Sequence, residues 1–195
     1  MPQVKGVLTM TYRINGAGEV SVAEQLEAGD AEAPGMFRFG MTMAMPARYS
    51  EIVYYGRGAH ENYCDRLSSA DLGLYSQKVA DQYHDEYVRP QESGTKSDLR
   101  WWSVVDSSGS GLTILSEAPF SASALPYATE ALDVTNFPPQ QHSGPLRSGD
   151  RTYVNFDLRQ MGLGCINSWG ELPEDQYMIP YGDYTFRFLL RPTVK

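Results

Sequence analysis

The stretch YYGRGAHENYCDR, Tyr54 to Arg66, brings Glu61, Asn62, Asp65 and Arg66 within one short turn bracketed by glycine. Paired carboxylates and amides are groups that grip vicinal hydroxyls, so one reading is a sugar-binding cluster. The same groups can instead form an internal hydrogen-bond network, with Arg66 pairing Asp65 or Glu61 to stitch a loop to its scaffold. A second concentration, VRPQESGTKSDLRWW, carries Arg89, Glu92, Asp98, Arg100 and the pair Trp101 and Trp102. Adjacent strand residues face opposite ways, so one tryptophan of the pair enters the core and the other lies outside, covered by a neighbouring element or a ligand.

A third stretch, QMGLGCINSWGELP, holds Trp169 in sequence that reads as a loop. A buried tryptophan removes about 150–250 Å² from water, so one kept among Gly, Asn, Ser and Pro either stacks on a ligand or plugs an interface. Gly162 and Gly164 before it are read as allowing unusual backbone dihedrals.

Other chemistry has no support in the spacing. His60, His84 and His142 show neither metal-ligand spacing nor a G-x-S-x-G companion, and no phosphate-binding glycine loop is present. No catalytic residue and no metal site is therefore assigned. Retaining glycoside hydrolysis needs two carboxyl groups about 5 Å apart, a juxtaposition that no spacing here specifies. Cys64 and Cys165 make no metal-binding pair. They read as two free, partly buried thiols or as one disulfide, which leaves the redox compartment open.

The elements that must position these residues are strands. Leu8, Met10, Tyr12 and Ile14 alternate up to NGAG, and Val20 and Val22 resume the alternation, which predicts a hairpin. MFRFGMTMAMP puts Phe37, Phe39, Met41, Met43 and Met45 on one core-facing side. Further strands are predicted in EIVYYG, in LRWWSVVDSSGSGLTILSE about a Ser/Gly turn, in RTYVNFDLRQ and in DYTFRFLLR. SADLGLYSQKVADQYHDEY divides evenly between helix and other structure, with Leu72, Val79, Tyr83 and Tyr87 able to share a helical face. Pro119 to Asp150, which includes NFPPQQHSGPLRSGD, reads as a long surface excursion.

Many short strands between turn-forming clusters give an all-β, antiparallel sandwich or barrel. With 195 residues, 42% hydrophobic and 12% aromatic, the chain can bury one core, so residues 1–195 are taken as a single domain. The net charge of -8 and the lack of clustered Lys and Arg argue against nucleic-acid binding. No run of membrane-spanning length and no secretion signal is seen, so no membrane partner is expected.

In order, YYGRGAHENYCDR, RPQESGTKSDLRWW and DLRQMGLGCINSWG resemble the C-terminal domain of lacZ-type retaining β-galactosidases, a glycoside hydrolase family in which this region also occurs as a separate small chain. The likeness runs from about Thr9 to Arg191. It implies a β-supersandwich of the galactose-mutarotase-like type that works beside a catalytic TIM barrel. The barrel's two glutamates would lie outside this chain, which alone is expected to be inactive. Trp169 matches the tryptophan that, in the family, offers an apolar platform to the aglycone or acceptor sugar. The resemblance further implies a β-galactoside substrate, the remaining domains or a large subunit as partner, a homo-oligomeric parent, and Mg or Na ions in the barrel but no cofactor in this chain. It leaves a cytoplasmic or periplasmic location open.

Ala59 and His60 depart from the family's usual residues before E-N-Y, and GCIN departs from its Gly-Gly-Asp-type run before S-W. Family members also carry additional strands upstream, so a sheet edge near the N-terminus is expected to need cover. Two other function classes stay in view. A mutarotase-like aldose epimerase would use a histidine with a carboxylate, as His60 and Glu61 invite, although neighbours on a strand would point apart. A carbohydrate-binding module would bind sugar unaided.

Overall fold

A computed structural model describes residues 5–29, 33–87, 92–132, 146–164, 167 and 170–194. Among these residues nine strands follow in chain order: β1 Gly6–Ile14, β2 Val20–Ala28, β3 Arg38–Pro46, β4 Glu51–Gly58, β5 Asp71–Lys78, β6 Lys96–Val105, β7 Gly111–Leu125, β8 Arg151–Gln160 and β9 Tyr184–Thr193. Every pairing among them is antiparallel. Hydrogen bonding runs β1-β2-β9-β7-β6-β4-β5, and β8 joins β7 and carries β3.

The layering follows from β7. Its first part, Gly111 to Ser116, pairs with β9, and its last part, Ser121 to Leu125, pairs with β8. Pro119 stands between them and has no N–H to give a ladder, which suits the point where the strand changes partners. Opposite this bend β6 shifts register between Lys96 and Trp101, where Asp98 takes a φ of 52°. The β3–β8 pair thereby folds back over β9. Phe156 of β8 meets Phe188 of β9 edge-on at 5.0 Å, and Phe39 of β3 lies 5.5 Å from Tyr184. These facing side chains make the fold an all-β sandwich.

The core holds Ile52, Leu99, Val104, Ile114, Val154 and Phe156, with Trp102 stacked at 5.0 Å on Tyr54. Trp102 is buried and Trp101 is half-buried, as the alternation requires. The predicted hairpin forms, and the Asn15 side chain accepts from Ala17 N and Glu19 N to shape its turn. Gly18 there has a φ of 79°.

Four expectations need correction. The segment divided between helix and other structure is strand β5 followed by a short 3-10 turn at Val79–Asp81, and pairing with β4 decides it. Leu72 is exposed while Val79 is buried, so the helical face does not exist. Phe37 precedes β3 and is exposed, leaving Phe39 and the three methionines on the core side. The excursion from Pro119 is strand as far as Leu125, with Ala122 and Ala124 buried where the two layers approach, and Thr129–Leu132 is one helical turn. Residues 133–145 lie outside the described residues. Finally, the alternation of β1 sorts no buried face from an open one, since all nine of its residues are exposed.

Candidate functional site

Strand β4 delivers the chain into the turn at 59–66, and Arg57 near its end fixes the far side of that turn. The guanidinium donates to Leu67 O at 3.1 Å and Ala70 O at 2.8 Å, and pairs with Asp98 at 2.6 Å. Asn62 sits fully inside. Its amide donates to Arg57 O and His60 O, each at 3.1 Å, while its Oδ1 accepts from Ser97 N at 3.0 Å. Its backbone N–H reaches Thr95 O at 2.8 Å. The Asn62 amide thus closes the turn on itself and on the end of β4, while its Oδ1 and backbone tie the turn to Thr95 and Ser97.

Glu61 turns to the other side and is 6% exposed. It accepts from the Tyr87 hydroxyl, from Gly94 N at 2.9 Å and from the Tyr63 hydroxyl at 3.3 Å. Arg66 donates to it at 3.4 Å, and His84 Nε2 lies 3.8 Å away. Burial pushes its carboxyl up, yet the Tyr87 and Gly94 hydrogen bonds with His84 and Arg66 outweigh burial and hold it below the usual carboxylate range. Lys96 closes the network. Its ammonium donates to Gln82 at 2.7 Å and Gly94 O at 3.1 Å, and burial brings it down to about 8.

Asp65 points away from both, toward the end of β8. Its Oδ2 accepts the Gly164 N–H in a short hydrogen bond. Beside it, the Cys64 thiol donates to Gln160 O at 3.4 Å. Cys64 is a free thiol. Gly162 N bonds Tyr177 O at 2.9 Å, so the two roots of the loop meet. The glycines serve close approach here, since neither Gly162 nor Gly164 carries a positive φ. A Cβ on Gly162 would stand 2.8 Å from Asp65 Oδ2, and one on Gly164 would stand 2.9 Å from it. Trp169 and Cys165 lie outside the described residues, which resume with Asn167 donating to Glu171 at 2.7 Å and then Gly170 at a φ of 93°. An open groove of about 320 Å³ runs past these roots, lined by Ser97, Asp98, Phe120, Arg159 and Tyr177 among others.

The four polar residues therefore do not converge. Glu61 and Arg66 form one pair, Asn62 is internal, and Asp65 serves the loop root. The second concentration also disperses. Glu92 pairs with Arg38 at 2.7 Å, Asp98 with Arg57, and Arg100 is exposed, while Arg89 and His142 lie outside the described residues. His60 is exposed beside Ser69 Oγ at 3.3 Å, apart from the buried Glu61. The spacing gave no sign that Tyr87, Gly94, Gln82 and Lys96 gather around Glu61, nor that Glu92 joins Arg38 and Asp157. Asp157 is pushed up to about 7 by burial and by Glu92 and Glu24 against Arg38. At 3% exposure between the layers, that proton is out of a substrate's reach. Among the described residues, no group of three or more His, Cys, Asp or Glu could hold a metal, and no helix is long and apolar enough to cross a membrane.

The model of the β-galactosidase small chain matches residues 1–190. This chain belongs to the β-galactosidase small-chain family. Among curated proteins it is 32% identical over 185 residues to a β-galactosidase of Priestia megaterium, covering 94% of this chain and 17% of the relative. It is 32% identical over 176 residues to one of Lactobacillus delbrueckii subsp. bulgaricus, covering 90% and 17%. A Vibrio cholerae β-galactosidase is 33% identical over 161 residues, or 83% of this chain and 14% of that protein. The small-chain domain thus spans only about a sixth of the length of these relatives.

Proposed function

We propose that this chain is the aglycone-side domain of a retaining β-galactosidase, inactive alone and completed by a catalytic barrel in other domains or a large subunit. The observation that carries the reading is the family match across residues 1–190 combined with the sixth of the relatives' length that it represents. In the complete enzyme one barrel glutamate attacks the anomeric carbon, and the other serves first as acid and then as base, with Mg or Na ions held in the barrel. Trp169 offers a flat apolar face to the aglycone or to an acceptor sugar. The anchoring of both loop roots at Gly162 and Tyr177 is consistent with a loop that must present a side chain at a fixed place.

Two exposed apolar surfaces support a domain built to be covered. Val7, Leu8 and Ile14 on β1, and Leu72 and Leu74 on β5, are large apolar residues open to solvent at opposite ends of the strand order. Edge strands left so are normally shielded.

The test uses the complete enzyme. Trp169→Ala should weaken the binding of acceptor sugars and change the dependence of rate on leaving group, with a melting temperature near that of the parent. Kinetics that stay the same across leaving groups would sink the platform. The isolated chain should hydrolyse no nitrophenyl galactoside, and hydrolysis by it would overturn the division of labour.

A further inference from the structure

We propose that Asp65 is a positioning residue for the reaction: by accepting the Gly164 N–H it sets where the segment bearing Trp169 leaves strand β8. The inference rests on the platform reading of Trp169. Three observations carry it. The bond from Gly164 N to Asp65 Oδ2 joins positions 99 apart in sequence, and nothing in the strand ladder requires it. Gly162 and Gly164 both yield room to the same carboxylate, with Cβ clearances of 2.8 and 2.9 Å, so the two sides are fitted to each other. The other carboxylate oxygen, Oδ1, is buried without a hydrogen-bond partner among the described residues.

The post itself is rigid. Asn62 ties the turn to Thr95 and Ser97 of the neighbouring chain segment, and Arg57 holds its far side. Cys64 adds the contact to Gln160 O one residue before Asp65 reaches Gly164. Anchors at 160, 162 and 164 therefore guide the chain out of the sheet at alternate residues. Small displacements of a substrate-contacting group can cost about a hundredfold in rate when it is misplaced by an ångström. A lost anchor five residues before Trp169 should act in that way, more on acceptor binding than on the chemistry.

The experiment measures transgalactosylation in the complete enzyme, with nitrophenyl β-galactoside as donor and glucose as acceptor. Asp65→Ala should raise the glucose concentration for half-maximal transfer roughly tenfold, a larger shift than any change in the rate of hydrolysis. Asp65→Asn keeps an oxygen for the Gly164 N–H and should restore most of the loss. In a Trp169→Ala background, Asp65→Ala should add little. If Trp169→Ala shifts acceptor use and Asp65→Ala does not, or if the Asp65→Ala loss persists undiminished without Trp169, the positioning role is overturned and the platform stands. If Trp169→Ala has no effect on acceptor use, the platform falls and the positioning role falls with it. Should Asp65→Ala fail to assemble, Gly164→Ala presses on Oδ2 from the other side. It should give the same selective shift, and normal acceptor use in that variant overturns the inference.

Discussion

Two buried carboxylates in this domain, Glu61 and Asp157, are shifted in opposite directions from the ordinary carboxylate value. Glu61 is 6% exposed and Asp157 is 3% exposed, but Asp157 lies deeper, between the layers, and is the more fully desolvated. Glu61 meets two tyrosine hydroxyls, a backbone N–H, a guanidinium and an imidazole, and of these Tyr87, Gly94, His84 and Arg66 overcome its desolvation. Asp157 has Arg38 Nε at 3.8 Å, and Arg38 makes its shorter contact, 2.7 Å, with Glu92. Two further carboxylates, Glu92 and Glu24, push it further up. Depth and the donors available to a buried acid together decide which way its pKa moves. The hub at Glu61 organises a turn that reaches toward the loop, whereas Asp157 itself lies buried between layers.

The strongest way to break this contrast is to remove the hub. Glu61→Ala strands the Gly94 N–H and removes several charge-assisted bonds, so it should cost about 3 kcal/mol in urea unfolding at pH 7. A loss under about 1 kcal/mol would mean that the turn holds without its ionised centre. Asp157→Asn should act the other way. Its folded pKa is raised, to about 7 from 3.8, so the folded state binds the proton more tightly than the unfolded state. The associated stability is present below about pH 4 and is lost as pH rises through about 7. The Asn variant lacks that loss and should exceed the parent by on the order of 2–4 kcal/mol at pH 8, with the gap closing toward pH 4. Parallel urea midpoints for the two proteins from pH 4 to 9 would contradict it.

Much of the fold was legible because half-buried strands alternate. RTYVNFDLRQ is β8 over its whole length, and the NGAG hairpin has the turn chemistry its residues predict. Legibility failed where periodicity was ambiguous or where neighbours decided. Leu72, Val79, Tyr83 and Tyr87 fit a helix in sequence, but β4 was waiting for a partner. Ser121 to Ala124 looked like an excursion because small residues resemble a loop, whereas smallness is what lets two layers close there. The pairing of Arg66 with Glu61 was one of two alternatives the residues allowed. Asp65 against Gly164, and Tyr87 and Gly94 against Glu61, were invisible because no local pattern encodes contacts made by loops from distant parts of the chain. Trp169 stood out only as a misplaced aromatic, and the role proposed for it came from resemblance to a family.

The smallest expected effect sharpens the comparison most, because it changes one donor and leaves the carboxylate in place. Tyr87 is 37% exposed and its hydroxyl is among the groups that hold the Glu61 carboxyl low. Tyr87→Phe should cost about 1 kcal/mol at pH 7, the net worth of one hydrogen bond. Its distinctive mark lies in acid. Glu61 has a lowered folded pKa, so its contribution is present above the ordinary carboxylate value and is lost as pH falls through the folded one. Without the tyrosine donor that folded pKa moves up, and the acid loss of stability should begin at higher pH than in the parent. In Glu61→Gln the same Tyr87→Phe change should leave the acid limb where it is, since no carboxylate remains there to titrate. A shift of the acid limb that survives in the Gln background would assign the effect to another group, and would mean that the state of Glu61 is set by its remaining donors.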